Sequence, residues 1–369
     1  MGNVFDYMKE YGDRTFEEFP FCEVDALILA QMSYLGFDGV VPALSEKGET
    51  VSLPEIDEAM DPDRVFYFKT YERQNRELWK LLLLGRRFCN MRCSGYQSLL
   101  DVGKEMQFGA ITFFPEGAKP VVAFRGTDGT IVGWKEDFNM AFKHHVPAQQ
   151  QSVAYLNRAG TLLDGDFLVC GHSKGGNLAI YGSAMAEPEI KERIAEVYSL
   201  DGPGFLPEML PEKAYAGIRG RVRRILPVSS LVGMMLQNYE DYEVVKSTAF
   251  GVQQHDCYTW QVGDGALVKA REIEAKRRRM DEVLNQWIFA LSEDERELMV
   301  DSLFEMLEGT GATTLTEFAA DWKENMKSCM KYMRSLDPDM RKKLRGFLKM
   351  LFEIYGSVTG EAIRQELSR

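Results

Sequence analysis

Histidine is scarce in this chain: four imidazoles, His144, His145, His172 and His255, serve 369 residues. Chemistry that needs a base near neutral pH therefore has few places to find one. Basic charge is short as well. A net charge of −12 and a pI near 5.1 leave no excess of Lys and Arg to neutralise phosphates, which argues against broad nucleic-acid binding. Long apolar runs are missing: the longest cluster, Leu81 to Leu84, is far too short to span a bilayer. The first ten residues lack a basic region followed by an apolar run, and position 6 is Asp rather than Ser or Thr. Neither a signal peptide nor myristoylation is expected. The six cysteines, Cys22, Cys89, Cys93, Cys170, Cys257 and Cys329, have no framework spacing. They read as reduced thiols of a cytoplasmic protein. Cys89 and Cys93 have no second pair and no nearby histidine, so no zinc site is expected.

What is present is a large apolar fraction, 45% of the residues, enough for one big or two modest domains. Residues 23–35 and 72–88 carry helical spacing of apolar residues. Gln107 to Phe114, Val121 to Phe124, 166–170, Glu196 to Leu200, Val222 to Val228 and Glu243 to Thr248 read as strands. Helices are expected near 149–160 and from the serine at 173 to about Met185. Strands alternating with helices indicate an α/β fold with a mostly parallel sheet. Past about Val268 the strands stop, and 266–291, 293–308, 315–335 and 339–355 read as four amphipathic helices. Ser292 before Glu293-Asp294-Glu295 is the expected N-cap of the second. The basic run Lys276-Arg277-Arg278-Arg279 reads as a solvated helical face.

The most informative stretch is Asp166-Phe-Leu-Val-Cys-Gly171-His172-Ser173-Lys174-Gly175-Gly176-Asn177. An apolar run, a serine between glycines and a helix-compatible continuation predict strand, sharp turn, helix. The turn lifts the Ser173 hydroxyl out at the carboxyl edge of a sheet. Gly-x-Ser-x-Gly alone is a modest signal; here both flanks fit. A serine nucleophile needs a base, and the base needs a group to orient it. In hydrolases of this fold the order is serine, acid, histidine. Only His255 follows Ser173, so the base falls to His255 almost by elimination. His172 adjoins the serine, and its side chain is expected to leave in another direction. For the acid, Asp201 ends the next strand and is preferred, although Asp-Gly-Pro-Gly is a good turn with or without chemistry. Asp256, Asp241 and Glu243 stay open. Oxyanion donors are expected from the Lys174 amide, at the start of its helix, and from the loop Phe124-Arg125-Gly126-Thr127, where Thr127 offers an amide and a hydroxyl.

Phe124-Arg-Gly-Thr127, then Trp134 and Asp137, then Gly-His-Ser-x-Gly-Gly resembles the class 3 lipases of the α/β-hydrolase superfamily. The resemblance implies that Thr127 is the oxyanion-hole residue and Ser173 the nucleophile. Over residues 1 to about 265 the chain more closely resembles a bacterial, Mbeg-like branch of that superfamily whose function is unknown. It shares the Val24-Asp-Ala-Leu-Ile-Leu beginning, Phe-Arg-Gly-Thr-Asp, Gly-His-Ser-Lys-Gly-Gly-Asn and Gln254-His255-Asp256. One departure stands out. Class 3 lipases carry their acid after the following strand, where this chain has Leu226-Pro-Val-Ser-Ser230. Lys174 is a second departure, since lipases commonly have an apolar residue there. Such a cation either favours an acidic group on the substrate or extends into solvent.

The expectation is an α/β-hydrolase domain over 1–265 and a helical extension over 266–369. The activity expected is serine hydrolysis of carboxylic esters, of lipid, lysolipid or small acyl type, with Ser173, His255 and Asp201 as catalytic residues and Thr127 and Lys174 at the oxyanion hole. No cofactor, metal or nucleic-acid partner is expected. The alternative is a hydrolase scaffold with weak or no activity that serves as a binding module. A thioesterase or acyltransferase would use the same residues.

Overall fold

The computed structural model describes residues 2–68, 71–140, 143, 145–206, 209–236, 242–275, 278–279, 282, 285–286, 290–346 and 348. Its centre is one sheet of eight strands whose spatial order follows the chain: β1 (Val51–Ser52), β2 (Arg92–Asp101), β3 (Met106–Phe114), β4 (Val121–Phe124), β5 (Phe167–His172), β6 (Ile194–Leu200), β7 (Val222–Pro227) and β8 (Glu243–Val245). Strands β1 to β4 pair antiparallel and β4 to β8 pair parallel. The α/β class expected from the alternation of elements is the class observed. Strand β2 was not among the strands read from the pattern. A register shift between Ser94 and Gln97, with Gly95 at φ +71°, interrupts its alternation, and Leu100 stays exposed.

The parallel strands are apolar throughout because helices cover both faces. Val121, Ala123, Leu168, Cys170, Tyr198 and Leu200 point into one core. Val122, Phe124, Phe167, Val169 and Val197 point into the other. The first core is roofed by α1 (Val4–Tyr11), α2 (Glu23–Met32) and α3 (Glu72–Leu84). All ten residues of α2 are buried. The second core lies under α5 (Pro147–Leu162) and α6 (Lys174–Met185), while α4 (Ile131–Asn139) follows the loop after β4. Register puts Phe124 opposite Gly171, and His172 opposite Leu200. The segments leaving β4, β5 and β6 therefore emerge together at one sheet edge, where α/β folds place their sites.

Beyond the sheet the outcome is mixed. Residues 266–267 form a short strand paired with Val262–Gly263 rather than the start of a helix. Much of the expected helix to 291, including Lys276 and Arg277 of the basic run, lies outside the described residues. Helix α7 (Glu293–Glu308) begins as expected, with a reciprocal cap between Ser292 and Glu295. The expected helix 315–335 is two, α8 (Leu315–Ala320) and α9 (Trp322–Ser335), broken at Asp321. The last covers 338–346, and its expected end at 355 lies outside the described residues. Helix α7 packs on α4: the Phe138 and Phe304 rings meet at 5.7 Å, Lys135 pairs with Asp301 at 3.2 Å, and the Ile131 amide donates to the Thr313 carbonyl. Among the described residues no helix is long and apolar enough to cross a membrane.

A buried ion pair joins the helices of the first core. Arg87 Nε and Nη2 donate to the two oxygens of Asp25 at 2.8 and 2.6 Å, and both side chains are wholly buried. Tyr7 and the Cys22 amide also donate to Asp25, and the guanidinium stacks 3.9 Å from the Phe16 ring centre. Arg87→Met would strand the carboxylate and should cost about 3–5 kcal/mol of unfolding free energy. Urea denaturation checks this, and a loss under about 1 kcal/mol would remove the pair from any structural role.

Candidate active site

Strand β5 ends at His172 and α6 begins at Lys174, so one residue, Ser173, makes the reversal, at φ +58° and ψ −131°. A non-glycine residue in this region is strained by about 1–3 kcal/mol and needs its surroundings to hold it. They do so by close approach: a Cβ on Gly175 would lie 2.2 Å from the Phe124 carbonyl oxygen. The Ser173 amide donates to the Leu200 carbonyl at 2.9 Å, and the residue is half-buried. The expected strand-turn-helix is thus the observed local structure.

His255 ends a short 3-10 turn, Gly251–His255, beyond β8. Its Nδ1 lies 2.6 Å from Asp201 Oδ2, and its side chain is 27% exposed. Asp201 follows β6 directly, is fully buried and sits at φ +50°. Its other oxygen accepts from the Ser230 hydroxyl at 2.5 Å and the Gly233 amide at 3.2 Å. Burial alone would raise the Asp201 carboxyl, but hydrogen bonds from His255 and Ser230 outweigh it and hold the group below the usual range. An ionised Asp201 accepts from Nδ1–H, which leaves Nε2 of neutral His255 as an acceptor. The other acid candidates go elsewhere. Asp256 accepts from the Tyr258 amide and caps the next turn. Glu243 pairs with Arg223 and Lys269, and Asp241 lies outside the described residues.

His172 has a task that the sequence reading missed. Its ring lies 4.5 Å from the His255 ring, and its Nε2 donates to the His255 backbone carbonyl at 2.8 Å. Nδ1 must then be the acceptor for the Tyr34 hydroxyl at 3.1 Å. Burial, helped by the neighbouring His255, pushes the His172 pKa down to about 3. A neutral imidazole thereby anchors the loop that carries His255. A polar residue at the buried end of an apolar strand was the available signal, because such groups are nearly always partnered.

On the other side of Ser173 the loop after β4 packs against the elbow. A Cβ on Gly126 would lie 2.1 Å from the Tyr34 hydroxyl, 2.7 Å from the His172 carbonyl oxygen and 3.1 Å from Ser173 Cβ. Thr127 follows, and its hydroxyl donates to Asp137 Oδ2 of α4 at 2.5 Å. That hydroxyl is committed, so the amide is the donor Thr127 has left to offer. Burial raises Asp137 to about 6, against the opposing pull of Lys174 and the Thr127 hydrogen bond.

Lys174 corrects the sequence reading. Its side chain neither extends into solvent nor reaches a substrate. It is 1% exposed, and Nζ donates to the Gln107 carbonyl and Oε1 at 2.8 Å each and to Glu136 Oε2 at 2.9 Å. At the first position of α6 the side chain turns back beneath β3 and α4, where a buried carboxylate offsets its desolvation. Among the described residues no three His, Cys, Asp or Glu side chains are grouped to hold a metal ion.

A family model described as Mbeg1-like matches residues 83–305, more than half of the chain. A solved structure titled "Crystal structure of M37 lipase" aligns with 57% of this chain and 67% of its own, at 12% identity and a TM-score of 0.32. No curated protein matches.

The anchoring histidine has a pH signature. Its folded pKa is depressed from 6.5 to about 3, so between those values the unfolded chain binds a proton that the folded chain does not. Stability is therefore lost as pH falls below about 6.5, by up to ~1.4 kcal/mol per unit from this group. In His172→Gln that contribution is gone. Its unfolding free energy, measured by urea titration from pH 7.5 to 4.5, should improve relative to wild type as the pH falls. A difference that stays constant across the series would mean that His172 ionises normally in the fold.

Proposed function

Because the chain belongs to the Mbeg1-like family, and Ser173, His255 and Asp201 leave the same sheet edge, we propose that it is a serine hydrolase cleaving carboxylic esters through an acyl-enzyme. The observation that carries the reading is the 2.6 Å contact between His255 Nδ1 and buried Asp201 Oδ2, beside an elbow whose serine is held at positive φ. An imidazole oriented by a buried carboxylate, on a loop tied to the residue before a strained serine, supports acyl transfer as the chemistry.

In this mechanism Ser173 Oγ attacks the ester carbonyl while His255 Nε2 takes its proton. Asp201 stays ionised, fixes the tautomer and stabilises the imidazolium. The oxyanion accepts from the amides of Thr127 and Lys174, the second at the positive end of α6. Collapse expels the alcohol, which takes the proton back from His255. Water then repeats the sequence on the acyl-enzyme and frees the carboxylic acid and Ser173. These steps need no cofactor. In this reading residues 1–265 form the hydrolase domain and 266–369 a helical extension. Lipid, lysolipid and small acyl esters are the substrate classes; a thiol leaving group or an alcohol acceptor would use the same residues.

A fluorophosphonate probe should label the wild-type protein and leave folded Ser173→Ala unlabelled; continued labelling of that variant would refute the assignment. With p-nitrophenyl esters of graded chain length, Asp201→Asn should lower kcat by roughly 10⁴ if the pair acts as in well-studied triads. A change under tenfold would move the orienting role to another group.

A further inference from the structure

The residue that offers one oxyanion amide, Lys174, is tied by its own side chain to Glu136. The residue that offers the other, Thr127, is tied by its hydroxyl to Asp137. Glu136 and Asp137 are consecutive on α4. The Glu136 carboxylate is fully buried and fully used: Oε1 accepts from the Ala148 amide at 2.8 Å, and Oε2 accepts from the Gln107 amide and from Lys174, each at 2.9 Å. The ammonium is equally committed, since its three protons go to three oxygens. One carboxylate therefore joins α4, β3, the first turn of α5 and the first residue of α6.

An ion pair of this kind is a poor source of stability. Buried pairs contribute little compared with apolar side chains of the same volume, and often less than nothing. Geometry is a better account. Two donors serve an oxyanion only if both sit about 3 Å from one point, and here both residues are bolted to adjacent positions of one helix.

Resting on the hydrolase reading above, we propose that the Lys174–Glu136 pair positions the oxyanion hole, with α4 as the spacer that sets the separation of the Thr127 and Lys174 amides. Glu136 and the Lys174 side chain act through the backbone and never touch the substrate. The spacer is itself held from outside: the Ile131 amide, Lys135 and Phe138 are engaged by Thr313, Asp301 and Phe304. The helices after residue 292 thereby support the hole at a distance.

The test is the double variant Lys174→Met/Glu136→Gln, which keeps volume, removes both charges and cuts the tie. In the folded protein kcat should fall by about 10²-fold, as on loss of one oxyanion donor, with KM within about threefold. Affinity for a boronic acid that mimics the tetrahedral intermediate should fall by a similar factor, while a non-hydrolysable ether analogue binds unchanged. A purely structural role would lower the melting temperature without that split. Unchanged kcat in the folded double variant overturns the proposal. If the double variant does not fold, Glu136→Asp retains the charges and draws the carboxylate back by one methylene. It should lower kcat about tenfold, and a wild-type kcat there is equally fatal. Fluorophosphonate labelling of wild type and Ser173→Ala, run alongside, separates the two failures. Absent Ser173-dependent labelling sinks the hydrolase reading itself, whereas normal labelling with unaffected variants sinks only the positioning role.

Discussion

Close approach of backbone around Ser173 is the constraint on which the site depends. The loop after β4 packs against the His172–Ser173 turn at Gly126 and against the first turn of α6 at Gly175, so both sides of the serine are confined. A side chain at either would collide with main chain, which cannot yield as a side-chain tip can. That compression keeps Ser173 at a φ its own side chain disfavours. The strain at Ser173 and the close packing of the loop after β4 are thus one geometric fact, set by the register of β4 against β5.

Charge is handled locally around that geometry. Asp201 is offset by His255 and Ser230. Glu136 is offset by Lys174, and His172 is kept neutral between Tyr34 and a carbonyl. Each of these three groups has a named partner in hydrogen-bond contact, which is the condition for keeping it buried at all.

The sequence and the fold agree where the signal is local. The elbow was legible because glycines at fixed offsets and an apolar strand leave few alternatives. His255 stood out as a candidate because histidine is rare here and the order of residues excluded the rest, and the structure pairs it with Asp201. What was not legible depends on distant partners. Lys174 looked like a surface cation, because nothing near it in sequence announces Glu136 or Gln107. His172 looked idle, because Tyr34 and the His255 carbonyl reach it from elements far away in the chain. Strand β2 was hidden by its bulge, and the break at Asp321 carries neither proline nor glycine to mark it.

The serine at position 230 takes its meaning from its contacts. Ser230 lies just past β7, in the segment that resembles the one where class 3 lipases carry their acid, and it donates to Asp201 at 2.5 Å. A carboxylate at 230 would place a second negative charge against a buried Asp201 oxygen, and one of the two would have to take up a proton. The two positions are therefore mutually exclusive as ionised acids. With Asp201 ionised just past β6, a hydroxyl just past β7 becomes the fitting neighbour. It fills the vacated place, satisfies a lone pair that His255 does not use, and helps hold Asp201 ionised despite burial. A hydroxyl rather than a carboxylate at position 230 and an ionised, buried Asp201 are two sides of one electrostatic requirement.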